Sequence, residues 1–269
     1  MNFSLIGSGF IMPRHAEAIE GLGGKIVDVV NTAYGEDRWK TGVMDNQKTD
    51  CVVILGPNDL HAPMARMAAE NGKLVLCEKP LGISPESVRA LAAFDNIFTV
   101  MQLRHHPLAQ ELREQVAAGG TFEIDMNISV YRDEKYFKTW KGDSARSGGP
   151  LYNIGIHYFD LLQHVFGPPK KIVTAALNDM VGCGTIEGDR YRCTWTVGIF
   201  RDRAGQQRRF LVNGKDYNFS SKDNLSYENL HRTVYREMLE GRGIRPLEAL
   251  PSVELVDRLY AAVTVPYAA

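Results

Sequence analysis

Apolar residues in the first hundred positions form short buried runs, and longer stretches of mixed character separate these runs. The runs cover residues 3–6, 25–30, 51–55, 73–77 and 98–101. The stretches between them have the composition of helices, for example over residues 13–22 and 62–71. Strands that alternate with helices are typical of a parallel sheet covered on both faces. The pattern therefore predicts an α/β fold, with a doubly wound Rossmann sheet over residues 1–103.

From Thr121 onward the period of the pattern changes to two, which is typical of strands with one solvated face. The alternating apolar positions are Phe122, Ile124, Met126, Ile128 and Val130. Further strands are predicted over residues 171–177, 190–200, 207–212 and 216–219. The pair Asn213-Gly214 has the composition of a hairpin turn, and helices are expected over residues 108–118 and 225–240. Residues 104–269 are thus predicted to form a second, α+β domain with an antiparallel sheet.

Composition narrows the range of partners. Lys plus Arg (31) nearly balances Asp plus Glu (32), so we expect neither a nucleic-acid nor a membrane partner, and small-molecule chemistry is favoured. The four cysteines form no Cys-x-x-Cys pair, and two of them lie in apolar runs, as expected of reduced cysteines. The N-terminus lacks a basic leader, and no apolar run reaches the ~20 residues that a membrane span needs. These features predict a cytoplasmic protein.

A glycine-rich turn follows the first predicted strand. Its sequence is Gly7-Ser8-Gly9-Phe10-Ile11-Met12, and a helix is predicted directly after it. Such a turn lets backbone N–H groups reach a pyrophosphate at the helix N-terminus, which makes Gly7, Gly9, Phe10 and Ile11 candidate dinucleotide-binding residues. Met12 occupies the third glycine position of the fingerprint, which serves helix–strand packing more than phosphate contact. An ordinary tight turn is the alternative interpretation.

The end of the second predicted strand bears on the choice of cofactor. Dinucleotide folds usually place an acid there to bind the adenosine ribose, and this chain has Asn31. An amide still bonds a ribose hydroxyl but does not repel a 2′-phosphate, so this position does not decide between NAD and NADP. NAD is the expected cofactor, and NADP stays open. The polar stretch before Cys51 is too short for a helix, a strand and a further helix, which predicts an abridged nucleotide-binding half.

Charged and polar residues follow two of the buried strands at their carboxyl ends, where open α/β sheets bind ligands. Glu78-Lys79-Pro80 follows the fourth predicted strand, and Pro57-Asn58 with His61 follows the third. These residues are candidates for the cofactor side of a site. The alternative for His61 is that it caps the helix in which it lies.

A second candidate group lies at 147–160, which has the pattern of a glycine-containing loop entering a helix. Asn153, His157 and Asp160 are four and three residues apart, so they share one helical face.

Four motifs in order resemble the glucose–fructose oxidoreductase / inositol dehydrogenase (Gfo/Idh/MocA) family over nearly the whole chain. They are the Gly-x-Gly turn, Pro57-Asn58-x-x-His61, Glu78-Lys79-Pro80 and Gly148-Gly149-x-Leu151-x-x-x-Gly155-x-His157. Within the family, the segments 13–15, 102–106, 136–143 and 153–157 are most similar to the UDP-N-acetyl-2-amino-2-deoxyglucuronate 3-dehydrogenases. Many family members carry aspartate where this chain and that subgroup carry Asn153. Met12, Asn31 and the short stretch before Cys51 depart from both patterns.

The resemblance implies a Rossmann domain over residues 1–103 and, over residues 104–269, an open-faced antiparallel α/β domain that binds substrate and forms oligomers. It also implies oxidation of a sugar C3 hydroxyl by hydride transfer to a nicotinamide. His157 would be the general base and Lys79 would hold the alkoxide, and the two roles are interchangeable at this level. Glu78 would orient Lys79 or a cofactor ribose, Asn153 would bind sugar hydroxyls, and His61 would lie near the nicotinamide. Further candidates for substrate binding are Arg14, Arg104, His105, Lys138, Trp140 and Lys141.

Three functions remain open from the sequence. The first is this dehydrogenase acting on a UDP-linked N-acetylamino sugar, UDP-N-acetylglucosaminuronate. The second is a family enzyme for another sugar or a polyol, and the third is a non-catalytic nucleotide-sugar-binding protein with a weakened cofactor site. No metal is expected. A homodimer or homotetramer is expected, because an apolar outer face of the second domain's sheet would need a cover.

Overall fold

The computed structural model describes residues 1–32, 39–44, 46–219, 225–263 and 265–266. The chain forms two compact units. The first contains Met1–Gln102 and Glu228–Leu250, and the second contains Leu103–Tyr227 and Pro251–Ala269. The predicted boundary at 103/104 lies beside the first of these divisions, whereas the return of 228–250 to the first unit has no signal in the strand–helix pattern.

The first unit contains a parallel sheet of five strands. They are β1 (Asn2–Ile6), β2 (Lys25–Val30), β3 (Cys51–Ile54), β4 (Leu74–Cys77) and β5 (Ile97–Thr99). Their order is β2-β1-β3-β4-β5. The six-stranded dinucleotide fold has the order 3-2-1-4-5-6, so this sheet corresponds to that fold without its outermost strand next to β2. The order confirms the abridged doubly wound sheet, and it places the switch point of the topology between β1 and β3.

Helices connect these strands and a late helix returns to them. They are α1 (Met12–Glu20), α2 (Asn58–Glu70), α3 (Pro85–Arg89) and, much later, α8 (Leu225–Leu239). Helix α2 begins four residues before the predicted start, because Pro57 in extended conformation directly precedes it. A short π-helical turn, Lys40–Met44, lies in the shortened connection between β2 and β3. Part of the polar stretch there, residues 33–38 and 45, lies outside the described residues.

The core of the first unit explains why Met12 can replace a glycine and why a late helix returns to this unit. Met12, which replaces the third glycine, packs against the apolar cluster of this unit instead of leaving a gap. The late helix contributes Val234, Tyr235 and Met238 to the same cluster, and the ring of Tyr235 meets Phe3 edge to face at 5.9 Å. Residues 228–250 are therefore part of the nucleotide-binding unit's core.

The second unit contains a mixed sheet of seven strands. They are β6 (Phe122–Tyr131), β7 (Lys171–Leu177), β8 (Val181–Glu187), β9 (Tyr191–Phe200), β10 (Gln207–Val212), β11 (Lys215–Asp216) and β12 (Val265–Pro266). The order is β11-β10-β6-β9-β8-β7-β12. The prediction of an antiparallel sheet is wrong for two pairs, because β6 pairs with β9 in parallel and β12 pairs with β7 in parallel. Asn213 and Gly214 have φ of 49° and 81°, as a tight hairpin turn requires.

Helices of the second unit are α4 (Pro107–Ala118), α5 (Glu134–Phe137), α6 (Ser144–Ser147) and α7 (Ile156–Phe166). A further helix, α9 (Pro246–Ala261), runs from the end of the first unit into the second. Strand β8 and helix α9 have no counterpart among the sequence predictions. Glycines weaken the alternating pattern of β8, and Pro251 lies inside α9.

The outer face of the second sheet is polar. Its central strands present Glu123, Asp125, Arg192 and Thr194 to solvent. Among the described residues of these central strands no large apolar side chain is exposed, so the homodimer or homotetramer stays a prediction without the support of an apolar patch there. In the described part of the chain, every helix is too short or too polar to span a bilayer.

Candidate active site

The glycine turn after β1 forms the switch-point edge of the parallel sheet. Gly7 has φ of 120°, and a Cβ at this position would lie 2.7 Å from the carbonyl carbon and oxygen of Leu55. Only glycine therefore lets β1 pass this close to the end of β3. At Gly9, by contrast, a Cβ would meet nothing within 4 Å, so the backbone faces open space there. The turn is closed on the protein side and open on the ligand side.

The residues around this turn fit a dinucleotide. Helix α1 starts directly after the turn, as in a dinucleotide fingerprint, and no side chain caps its N-terminus. Phe10 is 77% exposed beside the turn, and Ile11 is half-buried. The amide of Asn31 donates to Ser8 Oγ at 3.0 Å, so the predicted ribose-binding residue lies against the same turn. These residues form one continuous edge, as the predicted contacts with a pyrophosphate and an adenosine ribose require.

We expect Gly7→Ala to weaken NAD binding and to lower the free energy of unfolding by about 1–3 kcal/mol, because the new methyl group enters the main chain of Leu55. Gly23→Ala is the matched control, since Gly23 also has a positive φ but open space around it. Gly23→Ala should lower the free energy of unfolding through its positive φ alone and leave NAD affinity unchanged. Calorimetric titration with NAD and urea unfolding of both variants measure this. Equal NAD affinity in the two variants would contradict the assignment of the turn.

The apolar strand β4 delivers Glu78 and Lys79 to the same edge of the sheet. Glu78 is 8% exposed, Lys79 is partly exposed, and the peptide bond between Lys79 and Pro80 is cis. Glu78 Oε2 accepts a hydrogen bond from the main-chain N–H of Lys79 at 3.2 Å. The predicted orienting role of Glu78 toward Lys79 thus has a geometric basis in this contact with its main chain.

His61 has structural contacts that account for its position. It is 1% exposed, with Nδ1 at 2.7 Å from the carbonyl oxygen of Pro80 and Nε2 at 3.0 Å from that of Gly56. Burial lowers the pKa of His61, although both carbonyls act in the opposite direction. The ring therefore ties the turn after β3 to the turn after β4, and the place of His61 near the nicotinamide stays a prediction. Pro57 and Asn58 are buried at the start of α2 in the same turn.

In the second unit, a double-glycine turn leads into the helix that carries His157. Gly148 and Gly149 both have φ of 76°, and a Cβ on Gly149 would lie 2.4 Å from the hydroxyl oxygen of Tyr260. That hydroxyl donates to the Gly148 carbonyl at 2.9 Å. A π-helical turn, Leu151–Gly155, then joins α7, so Asn153 and His157 follow each other by one turn. Both side chains are half-buried.

Asn153 belongs to a polar cluster that includes two cations. Its amide donates to the Tyr136 hydroxyl at 2.6 Å, and the guanidinium of Arg132 lies 5.3 Å from the centre of the Tyr136 ring. Burial lowers the pKa of Arg132, and burial together with the charge of Arg132 lowers the pKa of Lys141. Lys141 also lies over the Trp140 ring at 5.7 Å. Two half-buried cations that repel each other create a positive field beside Asn153, which suits an anionic ligand.

Arg104 forms a bidentate ion pair with the buried Asp160. Arg104 donates to both oxygens of Asp160 at 2.8 and 2.6 Å, and Ser252 Oγ donates to Asp160 at 2.6 Å. Asp160 is 1% exposed. This bidentate pair gives Arg104 a structural role in the packing of α7, and its contact with substrate stays a prediction.

Comparison with known proteins identifies the family. Residues 27–95 match the model described as "Oxidoreductase family, NAD-binding Rossmann fold", and residues 113–196 match "Oxidoreductase family, C-terminal alpha/beta domain". Together these matches cover more than half of the chain. The chain belongs to the Gfo/Idh/MocA oxidoreductase family. The first match confirms that the N-terminal unit of this family member is an NAD-binding Rossmann domain.

Curated relatives in the family act on different sugars and polyols. The inositol 2-dehydrogenase of Rhizobium meliloti is 29% identical over 65% of this chain and 58% of its own length. The D-glucoside 3-dehydrogenase of Escherichia coli is 33% identical over 50% of this chain and 41% of its own length. The chain thus spans about half the length of the curated relatives it matches.

A solved structure in the family matches nearly the whole chain. The WlbA (WbpB) dehydrogenase of Thermus thermophilus, in complex with NAD and α-ketoglutarate, has a TM-score of 0.87 and 28% identity, covering 99% of this chain and 97% of that one. The same dehydrogenase in complex with NAD and UDP-GlcNAcA has a TM-score of 0.84 and 29% identity, with the same coverage.

The remaining predicted residues lie in both units of this family member. Arg14 is exposed in the first turn of α1 and lies 3.8 Å from Glu17. Lys138 is exposed at the end of α5, and Trp140 and His105 are partly exposed in the second unit. Sequence reasoning missed Arg132 in the second unit, and His231 and Tyr235 in the first. Arg132 lies outside the motif segments, and the other two lie in a helix with no motif at all.

Proposed function

We propose that this protein is an NAD-dependent dehydrogenase that oxidises the C3 hydroxyl of a UDP-linked N-acetylamino sugar, UDP-N-acetylglucosaminuronate, to the 3-keto sugar. The observation that carries the proposal is the cation-rich cluster of Arg132, Tyr136, Lys141 and Asn153 on the elements that lead to His157. This substrate carries a uronate and a diphosphate, and both groups bind guanidinium and ammonium partners. The similarity to a dehydrogenase crystallised with NAD and UDP-GlcNAcA supports the same substrate.

The chemistry of the step assigns the two catalytic residues. When bound, NAD supplies the hydride acceptor. The hydroxyl proton must leave as the C–H bond breaks, and an imidazole that titrates near neutral pH suits this task, so His157 is the general base. Lys79 stabilises the developing alkoxide by a charge-assisted hydrogen bond. The exchange of these two roles, with a neutral lysine as base, is the alternative mechanism.

The family match and the dehydrogenase crystallised with NAD support NAD as the dinucleotide, whereas Asn31 leaves NADP open. Asn31 offers an amide to the adenosine ribose, and its amide already contacts Ser8 of the glycine turn. An aspartate at this position would repel a 2′-phosphate, and an asparagine does not. The ratio of kcat/KM with NAD to that with NADP therefore measures how far this edge discriminates.

We expect Arg132→Gln to raise KM for UDP-N-acetylglucosaminuronate by about tenfold or more, because it removes a charge-assisted hydrogen bond worth roughly 1.5–3 kcal/mol. The KM for an uncharged sugar should rise much less in the same variant. Lys135→Gln is the matched control, since Lys135 is an exposed lysine on the neighbouring short helix. Initial rates of NAD reduction with both sugars measure the difference.

The same rates separate the competing functions. An enzyme for an uncharged sugar or polyol, as the similarity to inositol 2-dehydrogenase and D-glucoside 3-dehydrogenase favours, would prefer the uncharged sugar and tolerate Arg132→Gln. A non-catalytic binding protein would bind UDP-sugars and reduce no NAD with any of them.

A further inference from the structure

A buried polar cluster lies in the core of the first unit, and the mechanism above leaves three of its members without a role. His15 Nε2 lies 3.0 Å from Glu78 Oε1, and His15 Nδ1 lies 2.8 Å from the hydroxyl oxygen of Tyr235. His231 Nε2 lies 3.7 Å from the same oxygen of Glu78. All four side chains are at least nine-tenths buried. Burying a carboxylate in this way is costly unless donors surround it, so the cluster requires an explanation.

One placement of protons gives each close contact in the cluster a donor and an acceptor. Burial alone would raise the pKa of Glu78, but the hydrogen bond from His15 and the nearby imidazole of His231 hold it well below its usual range, so the carboxylate is ionised. Burial lowers the pKa of His15 in spite of Glu78, so this imidazole is neutral. The Tyr235 hydroxyl then donates to His15 Nδ1, and His15 donates its Nε2–H to Glu78.

The cluster connects two parts of the cofactor edge. His15 lies in the first turn of α1, the helix that begins directly after the glycine turn. Glu78 binds His15 through one oxygen and the main-chain N–H of Lys79 through the other, at 3.2 Å. Two hydrogen bonds therefore lead from the pyrophosphate-binding end of α1 to the main chain of Lys79. Tyr235 and His231, both on α8, enclose this path.

We propose that His15 is a positioning residue that couples the seating of the dinucleotide on α1 to the placement of Lys79, with Glu78 as the connecting carboxylate. The proposal rests on the proposed function in giving Lys79 a role in the reaction. A lysine displaced by about 1 Å from its productive position costs on the order of 100-fold in rate. The path therefore makes the catalytic placement of Lys79 depend on a correctly held cofactor helix.

A divalent metal ion is the competing occupant of the cluster. His15, Glu78 and His231 each offer a ligand atom, and these atoms lie within 4.8 Å of one another. Two nitrogens and a carboxylate suit zinc. However, the 3.0 Å contact between His15 Nε2 and Glu78 Oε1 is a hydrogen bond, and the nitrogen that donates this proton cannot ligate a metal at the same time. The geometry therefore favours a hydrogen bond between His15 and Glu78 over a bound metal ion, and measurement of the metal content decides between them.

The test measures exchange of the amide hydrogen of Lys79, which forms the last hydrogen bond in the path. Hydrogen exchange at this amide, with and without NAD, is compared in the wild type and in His15→Leu, His15→Gln and Ile19→Val. The Gln variant keeps a donor close to the position of Nε2, and Ile19→Val removes a buried methyl group from the same helix without touching Glu78. We expect NAD to slow exchange at Lys79 in the wild type, His15→Gln and Ile19→Val. In His15→Leu this protection should be lost.

Kinetics provide the second measurement. His15→Leu should lower kcat by about 100-fold while KM for NAD changes much less, and His15→Gln should recover most of that loss. If NAD fails to slow exchange at Lys79 in the wild type, or if His15→Leu keeps the protection, the proposal is wrong. Stoichiometric zinc that a chelator removes together with the protection would also overturn it. The exchange experiment needs NAD and no sugar, so failure of the proposed function would appear separately, as a wild type that turns over no substrate.

Discussion

His157→Asn and Lys79→Met are each expected to lower turnover by at least ~100-fold, which is the usual scale for the loss of a positioned acid–base or charge-stabilising group. Neither side chain belongs to the glycine turn that we assign to the pyrophosphate, so NAD affinity should stay near that of the wild type. Steady-state rates and calorimetric NAD binding measure the two quantities on the same preparations.

The pH dependence of the two variants separates their roles. If His157 is the base, the ascending limb of the kcat/KM profile should be lost in His157→Asn and retained in Lys79→Met. If the ascending limb is instead lost in Lys79→Met and retained in His157→Asn, Lys79 is the base and His157 stabilises the alkoxide. Near-wild-type turnover in either variant would remove that residue from the mechanism. Lys135→Gln, on an exposed helix, serves as the control for a charge change without a catalytic consequence.

Asp160→Ala is expected to lower the free energy of unfolding by about 3–5 kcal/mol, because it leaves the Arg104 guanidinium without its buried partner. Asp160 accepts two bonds from Arg104 and one from Ser252, and the Arg104 side chain is only 15% exposed. Urea unfolding followed by circular dichroism measures the change.

The exposed pair of Asp125 and Arg209, at 4.0 Å, provides the control for this effect. Asp125→Ala should change stability by no more than ~0.5 kcal/mol. Replacing both buried partners, as in Arg104→Met with Asp160→Leu, should restore part of the lost stability, because no buried charge is then left unpaired. Equal unfolding midpoints for Asp160→Ala and Asp125→Ala would contradict the assignment of Arg104 to structure.

The sequence pattern was sufficient for the parallel sheet, because fully buried strands such as Cys51–Ile54 are continuous apolar runs. Alternation likewise identified β6, which has one solvated face. The pattern could not reveal that β6 and β9 run in parallel, since the period of a strand carries no information on the direction of its partner. The return of residues 228–250 to the first unit likewise depends on long-range contacts, on which the local pattern carries no information.

The candidate site was predictable where chemistry depends on short spacing. Glu78-Lys79 at a strand end, and Asn153 with His157 one helical turn apart, could be found from the chain alone. The structural contacts of Arg104 and His61 could not, because the fold brings their partners to them: Asp160 lies 56 residues from Arg104, and the carbonyl of Pro80 lies 19 residues from His61. The pair of His15 and Glu78 is separated by 63 residues and had no local signal.

The central claim is that hydride leaves C3 of a UDP-linked sugar, and an isotope label at that carbon tests it most directly. UDP-N-acetylglucosaminuronate carrying deuterium at C3 is incubated with the protein and NAD, and both products are examined by mass spectrometry and NMR. The account predicts that the deuterium is found in the reduced nicotinamide and that the sugar is recovered as its 3-keto form. Deuterium retained in the sugar, with or without reduction of NAD, would contradict it.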